Sequence, residues 1–330
     1  MLKETTGITK EELDRAVSIV QNIRHYYESK VVGQSNLGYA LIISLIANGH
    51  ILLESVPGLA KTTAAKVITE AVNGKFSRIQ CTPDLLPSDM IGTQIFNMST
   101  NTFENNLGPV NANFVLLDEV NRSSAKTQSA MLEAMQEREV SIGGETYELP
   151  NPFVVIATQN PIEEEGTYIL SEAQLDRFLL KVKLMYPNAE CEMEILNRIE
   201  ADVFAEGHAV ADLQDIVFLQ NLCKRVYMDA SIKRYIVDIV QASRMTKQIL
   251  TPELSQYVLM GASTRAAIAF MEVAKAAALT NGRGFCIPDD VKAMRYSVLG
   301  HRIMLNFAAI ADGVKEETII DGIVGAVRTP

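Results

Sequence analysis

Five short apolar runs constrain this chain more than any other feature: HILLE (50–54), FSRIQC (76–81), NFVLLD (113–118), FVVIAT (153–158) and FLLKVKLM (178–185). Each is too short for an ordinary helix and is rich in Val, Ile, Leu or Phe, as strands buried on both faces are. Segments of helical spacing separate several of them, notably TTAAKVITEAV (62–72) and SAKTQSAMLEAMQE (124–137). Strands alternating with helices predict an α/β fold with a parallel sheet covered on both faces. After Tyr186-Pro187 the strand-like runs stop, and Leu, Ile, Val, Ala and Met recur at helical spacing. Two domains are therefore expected within the 330 residues: 1–189 with the sheet, and 190–330 built of helices, divided near 187–192.

Thr9 and Glu12 form a capping box ahead of Leu13, Val17, Val20 and Tyr27, which share one helical face. A second helix is expected over about 35–47, stopped by Asn48-Gly49. Two stretches exceed what a minimal sheet needs. Residues 81–110 hold three prolines and several polar clusters, and REVSIGGETYEL (138–149) alternates around Gly143-Gly144, a two-residue hairpin signal. Long insertions in a compact domain are more often functional than decorative.

A net charge of −10 sets the sign of the surface. An acidic protein without a run of Lys and Arg does not attract phosphate backbones, so nucleic acid is not the expected partner. Cys81, Cys191, Cys223 and Cys286 make no close pair, which predicts free thiols in a reducing, cytoplasmic setting. His25, His50, His208 and His301 have no metal-ligand spacing and read as ordinary core or surface residues. MLKETTGITKEELDRAV is charged and without an apolar run, so no signal peptide is expected. The longest apolar stretch is broken at Asn48, Gly49 and His50, short of the roughly 20 residues of a membrane span, so no membrane insertion is expected.

The chemistry lies at the ends of the strands. ESVPGLAKTT (54–63) follows the first strand and opens a helix, with Lys61 and Thr62 on the last two positions of a G-x-x-x-x-G-K-[ST] phosphate loop. Backbone N–H groups and a helix N-terminus bind phosphate there, and the lysine adds a point charge. The two glycine positions hold Ser55 and Ala60. Alanine is small enough for close approach, so strain of about 1–2 kcal/mol is expected at Ser55 if that position needs φ > 0. Asp118 and Glu119 end the third strand, where a carboxylate pair can hold the water shell of Mg²⁺ and polarise an attacking water. Asn160 ends the fourth and can orient that water. Arg177, in EAQLDRF, is placed to stabilise phosphoryl charge from a neighbouring subunit. Arg265, in GASTRAAIAF, sits at a helix start, which dipole logic disfavours unless a phosphate is the partner.

VVGQ, ESVPGLAKT, RIQCTPDLLPSDMIG, LLDEVNRSSAKTQSAMLEAMQEREVSI, PFVVIATQNPIEEEGTYILSEAQLDRFLLKV and GASTRA together resemble the MoxR family of AAA+ ATPases, densely over 30–187 and more loosely over 260–295. The resemblance implies a five-stranded P-loop nucleotide domain, a helical lid, and a ring, usually hexameric, with ATP bound between subunits. It makes Lys61 and Thr62 the Walker A ligands of phosphate and Mg²⁺, within a loop of Pro57, Gly58, Leu59, Ala60 and Thr63. It makes Asp118 and Glu119 Walker B, with Glu119 the base. Asn160 becomes sensor 1, Arg177 the arginine finger, Arg265 sensor 2, and Gly33 and Gln34 the loop near adenine. Residues 81–110 match the helix-2 insert and 138–149 the hairpin before sensor 1, elements that face the ring axis or a client. The implied client route involves a von Willebrand factor A domain protein. Ala60 is an accepted variant in this family, whereas Ser55 departs from its glycine. Two other readings stay open: a nucleic-acid translocase, opposed by the charge, and a nucleotide-gated switch of negligible turnover, supported only by Ser55.

Overall fold

The computed structural model describes residues 7–161, 168–201 and 207–330. Five parallel strands form one sheet: β1 (Ile51–Glu54), β2 (Phe76–Gln80), β3 (Phe114–Asp118), β4 (Val154–Gln159) and β5 (Leu180–Lys183), in the spatial order β2-β3-β4-β1-β5. They coincide with the five apolar runs. Their side chains alternate between two cores. Ile51, Leu53, Leu116, Ile156 and Val182 face α1 (Lys10–Lys30), α2 (Ser35–Ile46) and α3 (Lys61–Ala71). Leu52, Val115, Leu117, Val155 and Ala157 face α4 (Ala125–Glu137). The Thr9–Glu12 capping box opens α1, with Glu12 N–H donating to Thr9 Oγ1 at 3.2 Å and Thr9 N–H returning to Glu12 at 2.9 Å.

Both inserts are antiparallel hairpins. One pairs Gly92–Asn97 with Thr102–Leu107 after a short helix at Pro87–Ile91. The other pairs Glu139–Ile142 with Glu145–Glu148, and Gly143 and Gly144 turn it at φ +59 and +87.

Beyond Pro187 the chain is helical, led by α5 (Ala189–Glu200), α6 (Leu213–Arg225), α7 (Ala230–Arg244) and α8 (Thr264–Thr280). Val258–Met260 and Met304–Leu305 pair as a small antiparallel ribbon, too short to show a period in sequence. The apolar face of α8, including Ala266, Phe270, Val273 and Ala277, belongs to the same core as α1 and α2, so the helical part packs directly on the sheet's helices. No helix among the described residues is long and apolar enough to cross a membrane.

Candidate functional site

The C-terminal ends of the strands gather most of the predicted residues, as open parallel sheets do. The loop leaving β1 begins at buried Ser55, whose N–H donates to Gln159 O at 3.0 Å and whose hydroxyl donates to Val56 O at 2.7 Å. Ser55 has no positive φ. Gly58 (φ +85) and Ala60 (φ +56) do. The expected site of strain is thereby corrected. The left-handed residue is the alanine, which stands immediately before the helix and caps α3, and Ser55 fits its place as a buried, hydrogen-bonded residue. The switch reading loses its one support with it. Pro57 and Gly58 are exposed, while Leu59 anchors the loop in the core. Lys61, Thr62 and Thr63 form the first turn of α3. Neither the Lys61 ammonium nor the Thr62 hydroxyl has a partner among the described residues.

The Gly33–Gln34 loop closes the same end of the sheet. Gly33 has φ +74, and a Cβ there would lie 2.9 Å from Pro187 Cβ, so both backbone and space require glycine. Buried Gln34 donates to Met185 O at 3.1 Å. Leu184 N–H donates to Glu54 O at 2.9 Å, which sets the cleft between 33–36 and 182–186 beside the root of the phosphate loop.

Asp118 is buried at the end of β3. Its Oδ1 accepts from Thr158 Oγ1 at 2.8 Å and its Oδ2 from Arg78 at 2.6 Å. Glu119 is held at φ +57, a left-handed conformation that a non-glycine residue keeps only when its surroundings impose it. Its N–H donates to Thr158 Oγ1 at 2.8 Å and its carbonyl accepts from Arg122 N–H at 2.8 Å. Its carboxylate accepts from Gln80 at 3.1 Å and from the Arg122 side chain at 3.0 Å. Asn160 is buried and follows directly on β4, next to the Gln159 carbonyl that holds Ser55. Thr62 and Asp118 offer a hydroxyl and a carboxylate, hard oxygen donors of the kind Mg²⁺ takes. No cluster of three His, Cys, Asp or Glu side chains suited to a metal occurs among the described residues.

Arg177 and Arg265 are elsewhere. Leu180 pairs with Ile51 at the start of β1, so Arg177, three residues earlier, lies at the N-terminal edge of the sheet. β1 alone rises about 10 Å between that edge and the phosphate loop. Exposed Arg177 donates to Leu132 O at 3.1 Å. Arg265 follows the cap Ser263 at the start of α8 and approaches Asp176 at 4.0 Å. Both arginines line one cleft of about 380 Å³ with Arg138, Asp176, Glu272 and Arg302. Arg265 shares a face with Arg177, not with Lys61.

Sequence reasoning passed over Arg78, Gln80 and Thr158, although RIQ and IATQN contain them. No local pattern announces a residue that acts on its strand neighbour. The thiols of Cys81, Cys223 and Cys286 are each pushed up to about 12 by burial, as suits inert core residues.

Comparison with known proteins agrees with this fold. The profile of the ATPase family associated with various cellular activities (AAA) matches residues 50–180, and that of the AAA lid domain matches 254–323. Chaperone MoxR1 of Mycobacterium tuberculosis is 42% identical over 318 residues, 96% of this chain and 82% of that protein. Protein MoxR of Methylorubrum extorquens is 27% identical over 83% of this chain and 84% of its own length. A crystal structure of a protein proposed to be an ATPase, from Cytophaga hutchinsonii, superposes with a TM-score of 0.91 at 43% identity, covering 97% of each chain. This chain belongs to the MoxR family of AAA+ ATPases.

Proposed function

We propose that the chain hydrolyses ATP at the contact between copies in a ring, hexameric as its family implies, and uses the cycle to remodel a client protein during assembly or maturation of a complex. The separation of Lys61 from Arg177 and Arg265 by the length of the sheet supports this most directly. One copy offers the phosphate loop on one face and, on another, two guanidinium groups held only by the Leu132 carbonyl and by a 4.0 Å approach to Asp176. A second copy, displaced head to tail, would supply what the first lacks, and heterologous contacts of this kind close into rings.

The roles follow from position. Backbone N–H groups of 58–63 and the Lys61 ammonium bind the phosphates. Adenine lies against Gly33 and Gln34. Thr62 and Asp118 would hold Mg²⁺, which would supply positive charge against the phosphates. Glu119 accepts the proton of the attacking water, and Asn160 orients that water. Arg177 and Arg265 of the neighbouring copy stabilise the charge that develops on the transferred phosphoryl group. We also propose that residues 1–189 act as the nucleotide domain and 190–330 as the lid. A von Willebrand factor A domain protein is the proposed client route, and the chain is proposed to work in the cytoplasm.

Mixing two inactive variants tests the arrangement. Lys61→Ala removes the phosphate ligand and Arg177→Ala the donated guanidinium. In mixed rings about a quarter of the sites would join an intact loop to an intact arginine. Hydrolysis should reappear on mixing. If each variant alone is inactive and the mixture stays inactive, Arg177 does not act between chains.

A further inference from the structure

We infer that Thr158 is a positioning residue for the hydrolytic step, setting the backbone of Glu119 and the carboxylate of Asp118 through one hydroxyl. The inference rests on the reading of Glu119 as the base. Thr158 lies on β4, fully buried, opposite the end of β3. Its single proton goes to Asp118 Oδ1 at 2.8 Å, and its oxygen accepts the Glu119 N–H at 2.8 Å. The two bonds have one direction, from the Glu119 amide through the hydroxyl to Asp118 Oδ1. Bonds in such a chain polarise and strengthen one another.

The hydroxyl explains how Glu119 keeps φ +57 without being glycine. A left-handed residue costs about 1–2 kcal/mol relative to its relaxed state. The Thr158 bond at the nitrogen and the Arg122 N–H at the carbonyl fix Glu119 on both sides, so the carboxylate leaves the backbone at a set angle. Valine has the shape of threonine but neither donor nor acceptor. With valine at 158 Glu119 loses its amide acceptor and Asp118 one of its two side-chain donors, while no hydrogen bond of the Thr158 hydroxyl to the phosphate loop is lost. Thr158 is also two residues from Asn160, so a change at Asn160 has a short path to Glu119 along the same strand.

Thr158→Val, Thr158→Ala and Thr158→Ser would be compared with Glu119→Gln for steady-state hydrolysis, for binding of a fluorescent ATP analogue and for melting temperature. The expected result is a fall in kcat of at least tenfold for Thr158→Val and Thr158→Ala, analogue affinity within threefold of the parent, and kcat within threefold for Thr158→Ser. Should Thr158→Val fail to bind the analogue or to melt cooperatively, Thr158→Ala against Thr158→Ser gives the same comparison. A kcat within twofold of the parent for a folded hydroxyl-free variant, with Glu119→Gln inactive, would overturn the inference. A parallel loss of affinity and kcat in every variant, serine included, would make Thr158 merely structural and overturn it as well. Full activity in Glu119→Gln would instead remove the reading of Glu119 on which the inference stands.

Discussion

The Arg302 guanidinium donates to Asp176 Oδ1 at 2.7 Å, and its remaining N–H groups reach the carbonyls of Phe178, Leu179 and Val298. The arginine side chain is 2% exposed and the aspartate 14%. This pair joins the helical part to the segment leading into β5, and the same carboxylate accepts from Ser263 at the start of α8. It thereby sets where Arg177 and Arg265 stand relative to each other. Removing Arg302 takes the nearest cation from Asp176 and leaves it only the Ser263 hydroxyl and the more distant Arg265, at a cost of about 3 kcal/mol. Arg302→Met is expected to lower the denaturation midpoint accordingly, and Arg302→Lys to recover less than half of the loss, because an ammonium cannot fork to four acceptors. A loss under about 1 kcal/mol for the methionine variant would show that the lid is held by its apolar core alone.

Ser55 and Ala60 predict opposite signs. Ala60 has φ +56, where glycine is at ease, so Ala60→Gly should be neutral or stabilising by up to about 1 kcal/mol once the added freedom of the unfolded chain is subtracted. Ser55 has no positive φ, is buried, and loses its 2.7 Å bond to Val56 O on truncation. Ser55→Gly should therefore destabilise by about 1 kcal/mol, although it restores the family's residue. Urea unfolding of both variants decides the matter. A stabilising Ser55→Gly would place the strain back at residue 55.

His50 links stability to pH. The ring is fully buried, its Nδ1 accepts from Val155 N–H at 3.0 Å, and its Nε2–H consequently donates to Met135 O at 2.9 Å. Burial, the largest cause, pushes its pKa down to about 4, opposed by the Met135 carbonyl. The unfolded chain takes up a proton near 6.5 while the folded one does not. Stability from this group is present above pH 6.5 and is lost as pH falls toward 4. The loss is about 1.4 kcal/mol per pH unit, or about 2 kcal/mol by pH 5. His301, also buried and shifted in the same direction by burial, adds to the slope. Unfolding free energies at pH 7 and pH 5 should differ by about 2 kcal/mol less in His50→Gln than in the parent. An unchanged difference would mean that His50 protonates in place.

The sheet was legible because its central strands β1, β3 and β4 are buried on both faces and so are written as nearly unbroken apolar runs, while the edge strands β2 and β5 mix apolar with polar residues. Lys61, Asp118, Glu119 and Asn160 could be placed from sequence because each sits within a few residues of a strand end. Three things could not be read. The Val258–Met260 ribbon is three residues long in a helical context and has no period to detect. The strain at Ala60, not Ser55, depends on how a six-residue loop turns back onto a helix. Most important, the N-terminus of α8 announces Arg265, but its side of the sheet is decided by packing against α1 and α2, contacts more than two hundred residues apart in sequence. Thr158, Arg78 and Gln80 were hidden for a related reason. Their partners lie across the sheet, and register, not local pattern, brings them together.

Asn105 locks the two hairpins to each other. Its amide nitrogen is within hydrogen-bonding distance of Ile142 O at 3.2 Å, Glu145 Oε2 at 3.0 Å and Tyr147 OH at 3.0 Å, while its oxygen accepts from Gln94 at 3.0 Å. Two protons serve three acceptors, so the contact is shared and not saturated. The first hairpin presents Ile95, Phe96, Met98 and Phe103 to solvent, with Phe96 and Phe103 packed edge to face at 5.2 Å between centroids. The second is joined directly to α4, which begins a few residues after Glu119. A displacement that starts at Glu119 and passes along α4 would reach the apolar hairpin through contacts such as that of Asn105, and through the Pro87–Ile91 helix that packs on α4. Asn105→Ala removes the lock without touching either core. It is expected to leave the melting temperature within a few degrees of the parent, a change of about 1 kcal/mol at a half-buried site outside both cores. Amide exchange over 92–107 should accelerate severalfold, with exchange in the sheet strands unchanged. Equal protection of the first hairpin in both proteins would show that its root at Gly92 and Gly108, not Asn105, holds it in place.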